Sequence, residues 1–196
     1  MCSSDLVLRV VLRTAAAELE LPRDPTLGVK DFDTSTHATY TDEEPNALTP
    51  DEVPLFLAEV RRRYPRHFAF VALGFATWLR PSSMRPLRRS GPNADVRWDE
   101  GVLLVRLSQT LGDEVMERTK SGRNQRLALP DELMEILRWH VERLPAGPMR
   151  DSELLFPATN GGYRSRSCLD KPFRRVARAI GLGKLVTPRA DRKSVV

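Results

Sequence analysis

Residues 71–89, VALGFATWLRPSSMRPLRR, constrain this chain most, because an apolar run stops at Arg80-Pro81 and the sequence turns basic. Val71, Leu73, Phe75 and their neighbours are apolar on every side, so a helix here belongs inside a core rather than on its edge. Arg80 leaves that core. A guanidinium on the last turn of a buried helix, fixed by packing behind it, is a pre-set anion clamp with planar donors that match phosphate. The alternative is that Arg80 only caps a helix C-terminus and complements its dipole.

A chain of 196 residues can bury one sizeable core and part of a second. Its 31 Lys and Arg against 26 Asp and Glu give a net charge of +5, which suits a polyanionic partner. No apolar run reaches the length of a membrane span, since Arg9 and Arg13 break the first candidate and Arg80 ends the second. The N-terminus lacks the basic start and cleavage site of a signal peptide. Cys2 and Cys168 are too few for a disulfide framework, which points to a reducing, cytoplasmic setting. Neither cysteine sits in a metal-ligand pattern, and His37, His67 and His140 share no zinc-holding spacing, so no cofactor or metal is expected.

The two ends, MCSSDL and DRKSVV, back-translate into a shared reverse-complementary block of about a dozen bases, like a sequencing adapter read through in frame. On that reading the chain is an internal piece, and residues 191–196 are a non-native tail. Residues 7–21 place Leu8, Val11, Leu12, Ala15 and Leu19 on one helical face, and Pro22, Pro25 and Gly28 end the helix. Residues 29–47 are rich in Thr, Asp and Glu without apolar periodicity and read as a linker.

A second domain opens at Thr49. Thr49 as N-cap, Pro50 at the first helical position and Glu52 three residues on form a capping box. This helix runs to Tyr64 and is stopped by Pro65. A second helix, from about His67, carries the apolar run to Arg80. Pro86, Gly91 and Pro92 then mark a loop in which Arg85, Arg88 and Arg89 either touch phosphates or sit solvated.

From Val102 the period changes to that of strands. VLLVRLSQ, EVMERTK and RNQRLALP form a small antiparallel sheet, with tight connections at Leu111-Gly112-Asp113 and Ser121-Gly122-Arg123-Asn124. Lys120 stands at the mouth of the second turn. Residues 130–144 form another core helix, with His140 on its apolar face as a packing residue. PAGPMRDS is a loop. A last helix, from about Asp170 to Gly181, buries Leu169, Phe173, Val176, Ala177 and Ile180 and leaves Lys171, Arg174, Arg175 and Arg178 mostly outside that stripe. Exposed cations of this kind suit a DNA backbone, although they also suit a merely soluble surface.

Four stretches carry a family resemblance. ATWLRPSSMRPLRR resembles the first arginine box of the tyrosine recombinases, or phage integrases, which usually reads Thr-Gly-Leu-Arg-x-x-Glu-Leu followed by Leu-x-Trp. Thr77, Leu79, Arg80 and Leu87 fit; Trp78 stands where glycine is usual and Ser83 where an acid is usual. ERTKSGRNQRLALP resembles the hairpin whose lysine enters the active site. LVTPRA resembles the Thr-Pro-His-x-Leu-Arg box, with Arg189 in place of histidine; the box's second arginine falls on Arg192, which on the adapter reading matches by coincidence, with Asp191 in place of an apolar residue. Residues 7–28 resemble the last helix of the core-binding domain that precedes the catalytic domain.

The resemblance implies a mainly α protein with a small antiparallel β-sheet (α+β): a recombinase catalytic domain over residues 48–190, preceded by a remnant helix of a core-binding domain. It implies cleavage of double-stranded DNA by a tyrosine hydroxyl through a 3′-phosphotyrosyl link, with no ATP and no metal. Arg80, Arg189 and Arg192 would clamp the phosphate and Lys120 would act as general acid. Arg85, Arg88, Arg123, Lys171, Arg174, Arg175 and Arg178 would bind DNA. The partners implied are DNA and further copies of the chain in a synaptic tetramer. Only Tyr40, Tyr64 and Tyr163 occur, and the family's nucleophile follows the last box, so the chain itself is expected to be inactive. Two rivals stay open: a DNA-binding or regulatory module without chemistry, and a type IB topoisomerase.

Overall fold

The computed structural model describes residues 11–12, 14–19, 47–109, 124–165, 167–184 and 186, and the backbone of 115–116. The chain divides into two compact units, Met1–Glu44 and Pro45–Val196. In the first, residues 11–12 and 14–18 are helical, as the apolar spacing predicts.

The second unit is mainly helical with small antiparallel sheets. Helix α1 is Glu52–Arg63, introduced by the predicted capping box: Thr49 N donates to Glu52 Oε2 at 2.7 Å and Glu52 N to Thr49 Oγ1 at 3.4 Å. Regular helix begins at Glu52, not at Pro50. Helix α2, Pro65–Thr77, starts two residues earlier than predicted. Pro65 both ends α1 and opens α2, because its missing N–H is harmless at a first helical position. Phe68 through Gly74 are all buried, so α2 is the central helix of the unit.

The short helix α3, Pro81–Met84, replaces part of the predicted loop. Strands β1 (Val96–Arg97), β2 (Val102–Val105) and β5 (Gln125–Ala128) form a three-stranded antiparallel sheet in the order β1-β2-β5. Leu103 lies opposite both Val96 and Leu127. The predicted strand VLLVRLSQ is broken: its second half, β3 (Ser108–Gln109), pairs with β4 (Val115–Met116) in a separate two-stranded ladder. The two predicted tight connections lie outside the described residues, apart from Asn124.

Helix α4, Asp131–Glu142, packs on α2 through an edge-to-face contact of Phe68 with Trp139 at 5.9 Å. His140 is buried against Phe156 at 5.3 Å, as a packing residue should be. A short helix α5, Pro148–Asp151, occupies the predicted loop, entered through Gly147 at φ 93°, which favours glycine. Helix α6, Asp170–Ala179, closes the core by setting Phe173 edge-on to Phe56 of α1 at 5.0 Å. Among the described residues no helix is long and apolar enough to cross a membrane.

Candidate functional site

Arg80 does not ride on the last turn of α2, as the apolar run predicts. The helix ends at Thr77, and Trp78 turns the chain with φ 59° and ψ 18°, in the left-handed region. Arg80 follows in extended geometry, φ −68° and ψ 144°, as residues before proline prefer, and caps the start of α3. The turn is anchored on both sides. Trp78 N donates to Gly74 O at 2.8 Å, and the Arg80 carbonyl accepts from Ser83 N at 2.8 Å and Met84 N at 3.1 Å. The Thr77 hydroxyl donates to Leu73 O at 2.6 Å.

Gly74 allows the close packing beneath this turn. A Cβ there would meet Met84 Cε at 3.2 Å, so a larger residue would make the Met84 side chain give by a few tenths of an ångström. The backbone of residue 80 is therefore set by a buried helix, while its guanidinium is exposed. Among the described residues no carboxylate forms a salt bridge with it. An exposed, unneutralised guanidinium on a fixed turn can accept a phosphate without first breaking a protein ion pair.

The structure corrects the reading of Arg85. Its side chain is not at the surface: Arg85 is 6% exposed and donates through Nη2 to Gln109 O at 3.0 Å and through Nη1 to Arg164 O at 3.4 Å. It braces the residue just past α3 against β3, the strand that leads toward residue 120. Arg89 is committed in the same way, donating to the carbonyls of Arg150 and Ser152, each at 2.6 Å. Arg88 is half-buried and paired with Glu153.

Sequence reasoning missed Arg164, which lies in a polar turn without periodicity. It is 5% exposed, donates to Arg66 O at 2.8 Å and to His67 Nδ1 at 3.0 Å, and lies over the rings of Phe70 and Phe156. Because an arginine only donates, His67 Nδ1 must be the unprotonated acceptor here. Burial, helped by Arg164 and Arg66, lowers His67 to about 4. Burial and then Arg164 lower His140 to about 4 as well. Burial raises the Cys168 thiol, against the opposing pull of Arg164.

On α6, Lys171, Arg174, Arg175 and Arg178 are all exposed, while Phe173, Val176 and Ala177 are buried. After that helix, Lys184 Nζ pairs with Glu52 Oε2 at 2.6 Å and donates to Ala47 O at 2.9 Å. The segment before Thr187 is thus tied to the start of α1. Lys120, Arg123, Arg189 and Arg192 lie outside the described residues.

No protein-family model matches the chain, and no curated protein matches it. Solved structures do. The Tn1549 transposon integrase in complex with transposon right-end DNA aligns with a TM-score of 0.72 and 19% identity, over 95% of this chain and 62% of that one. The lambda integrase tetramer bound to a Holliday junction aligns at 0.66 and 18%, over 95% and 49%. XerA recombinase aligns at 0.54 and 17%, over 74% and 47%. The fold is that of the tyrosine recombinase catalytic domain, and the chain spans less than two thirds of each of these solved chains.

Proposed function

We propose that the chain is part of a tyrosine-type site-specific recombinase, which cleaves and rejoins double-stranded DNA through a 3′-phosphotyrosyl intermediate. The observation that carries this reading is Arg80: an exposed residue whose backbone is set by the turn three residues past a buried helix, in a fold shared with integrases solved on DNA. Arg80, with Arg189 and the second arginine of the last box, whose place Arg192 takes here, neutralises the non-bridging oxygens as charge builds in the transition state. Lys120 protonates the leaving 5′ oxygen. Arg189 can donate hydrogen bonds, but its high pKa makes it a poorer proton carrier than the usual histidine. Lys171, Arg174, Arg175 and Arg178, with Arg123, run along the backbone and contribute affinity without reading bases. Arg88 would join them only by giving up its Glu153 pair. On DNA the protein works as a homo-oligomer, up to a synaptic tetramer.

None of Tyr40, Tyr64 and Tyr163 matches the family's nucleophile, which follows the last box, so this chain alone does not cleave. A longer form carrying the downstream tyrosine, given a nicked duplex that loses its leaving strand, accumulates a covalent adduct. Lys120→Ala slows that step by roughly 10²- to 10⁴-fold. An unchanged rate removes the lysine assignment, and an adduct formed by the present chain overturns the statement that it is inactive. The departures at Trp78 and Ser83 favour a second reading, a DNA-binding module without chemistry, for which the longer form yields no adduct while still binding.

A further inference from the structure

The three tryptophans are used in different ways. Trp98 donates through Nε1 to Arg89 O at 2.9 Å. Trp139 lies edge-on to Phe68, with the guanidiniums of Arg61 and Arg143 over its ring at 5.5 and 4.8 Å. Trp78 is 38% exposed, and among the described residues its indole joins no ring pair, cation contact or hydrogen bond.

Its backbone makes that exposure harder to explain by folding alone. Trp78 is the single non-glycine with positive φ among the described residues; Gly91, Gly101, Gly147, Gly161 and Gly181 hold the other such positions. A Cβ at a left-handed position is disfavoured relative to glycine, and a bulky aromatic there is an outlier. Trp78 as a whole is 38% exposed and, unlike Trp98 and Trp139, is not among the residues packed against the core, so burial offsets this strain only in part. Strained residues of this kind persist at sites where the side chain has work outside the core.

We propose that Trp78 is a DNA-contacting residue that packs its indole on the sugar and base of the nucleotide beside the phosphate held by Arg80. This rests on the function proposed above and goes beyond it, since the family's usual glycine at this position has no side chain to offer. The turn that holds Arg80 also holds Trp78, through Trp78 N to Gly74 O on one side and Arg80 O to Ser83 N on the other. Two residues apart on one anchored stretch of backbone, the two exposed side chains have their attachment points fixed relative to each other. Next to any backbone phosphate lie a sugar and a base, the surfaces an indole face covers well. At a nick one phosphodiester link is missing, so the flanking bases unstack more readily than in an intact duplex.

The test uses the present chain and a short nicked duplex at low salt. Trp78→Gly is expected to raise resistance to urea, because the strain is relieved, and to weaken binding by roughly fivefold to a hundredfold. Trp78→Phe keeps most of the affinity. Tryptophan emission of the wild type is quenched on DNA addition, and that quenching disappears in Trp78→Phe. Equal affinity of wild type and Trp78→Gly overturns the proposal, as does a Trp78→Gly variant less stable than wild type, which would make the ring a packing residue. Quenching by an added protein but not by DNA also overturns it. If the wild type binds no DNA at all, the recombinase reading fails first and this inference with it.

Discussion

The basic loop Arg85–Arg89 and the basic helix α6 look alike in sequence, yet they hold their charges in opposite ways. In the loop, Arg85 and Arg89 are buried and Arg88 is ion-paired. On α6, Lys171, Arg174, Arg175 and Arg178 all face out. The difference lies in what the backbone does. Residues 87–89 pair with 153–155 as a short ladder: Arg89 N donates to Glu153 O and Leu155 N to Leu87 O, both at 2.8 Å. That pairing draws the loop into the interior, where guanidiniums serve backbone carbonyls. Helix α6 has a 3.6-residue period, which separates its apolar stripe from its cations before any tertiary contact forms. A cluster of arginines thus stays exposed to solvent here where local periodicity keeps it outside.

The comparison can be broken at three points. Arg89→Ala should cost about 3 kcal/mol, because two carbonyls lose a charged donor, whereas Arg174→Ala should change stability by less than about 0.5 kcal/mol. Urea unfolding of the two variants checks this, and equal losses would erase the distinction between loop and helix.

Next in size is pH. His67 and His140 sit near 4 when folded and near 6.5 when unfolded. The unfolded chain therefore binds more protons in this window, and their contribution is complete above about pH 6.5 and lost as pH falls toward 4. The slope for His140 is at most about 1.4 kcal/mol per pH unit, with less from half-buried His67. Urea midpoints measured from pH 7 to 4.5 should fall, and His140→Gln should flatten the decline. A flat profile would mean that burial, with the neighbouring arginines, does not hold these two imidazoles neutral in the folded protein.

Much of the fold was legible because its signals are local. The capping box at Thr49 and Glu52, the all-apolar stretch of α2, and the stripe of Phe173, Val176 and Ala177 each follow from spacing alone. What escaped depends on partners distant in sequence. The 87–89 ladder needs residues 153–155, and Arg164 needs His67 and Phe70 from a helix roughly a hundred residues earlier. Short helices α3 and α5 were hidden by prolines that serve as helix starts rather than as breakers. The sequence singles out Arg80 as a candidate, but not its place past the helix end, because nothing local announces a tryptophan in a left-handed turn.

The central claim is that the outward cations of α6, and not the inward ones of the loop, meet a nucleic-acid backbone. The most direct measurement is the salt dependence of duplex binding by wild type and by R174A/R175A/R178A. The account predicts that the slope of log K against log salt falls by about 2.7 in the triple variant, close to 0.9 per lost phosphate contact, with the fold intact. A triple variant that binds with the wild-type slope would contradict it.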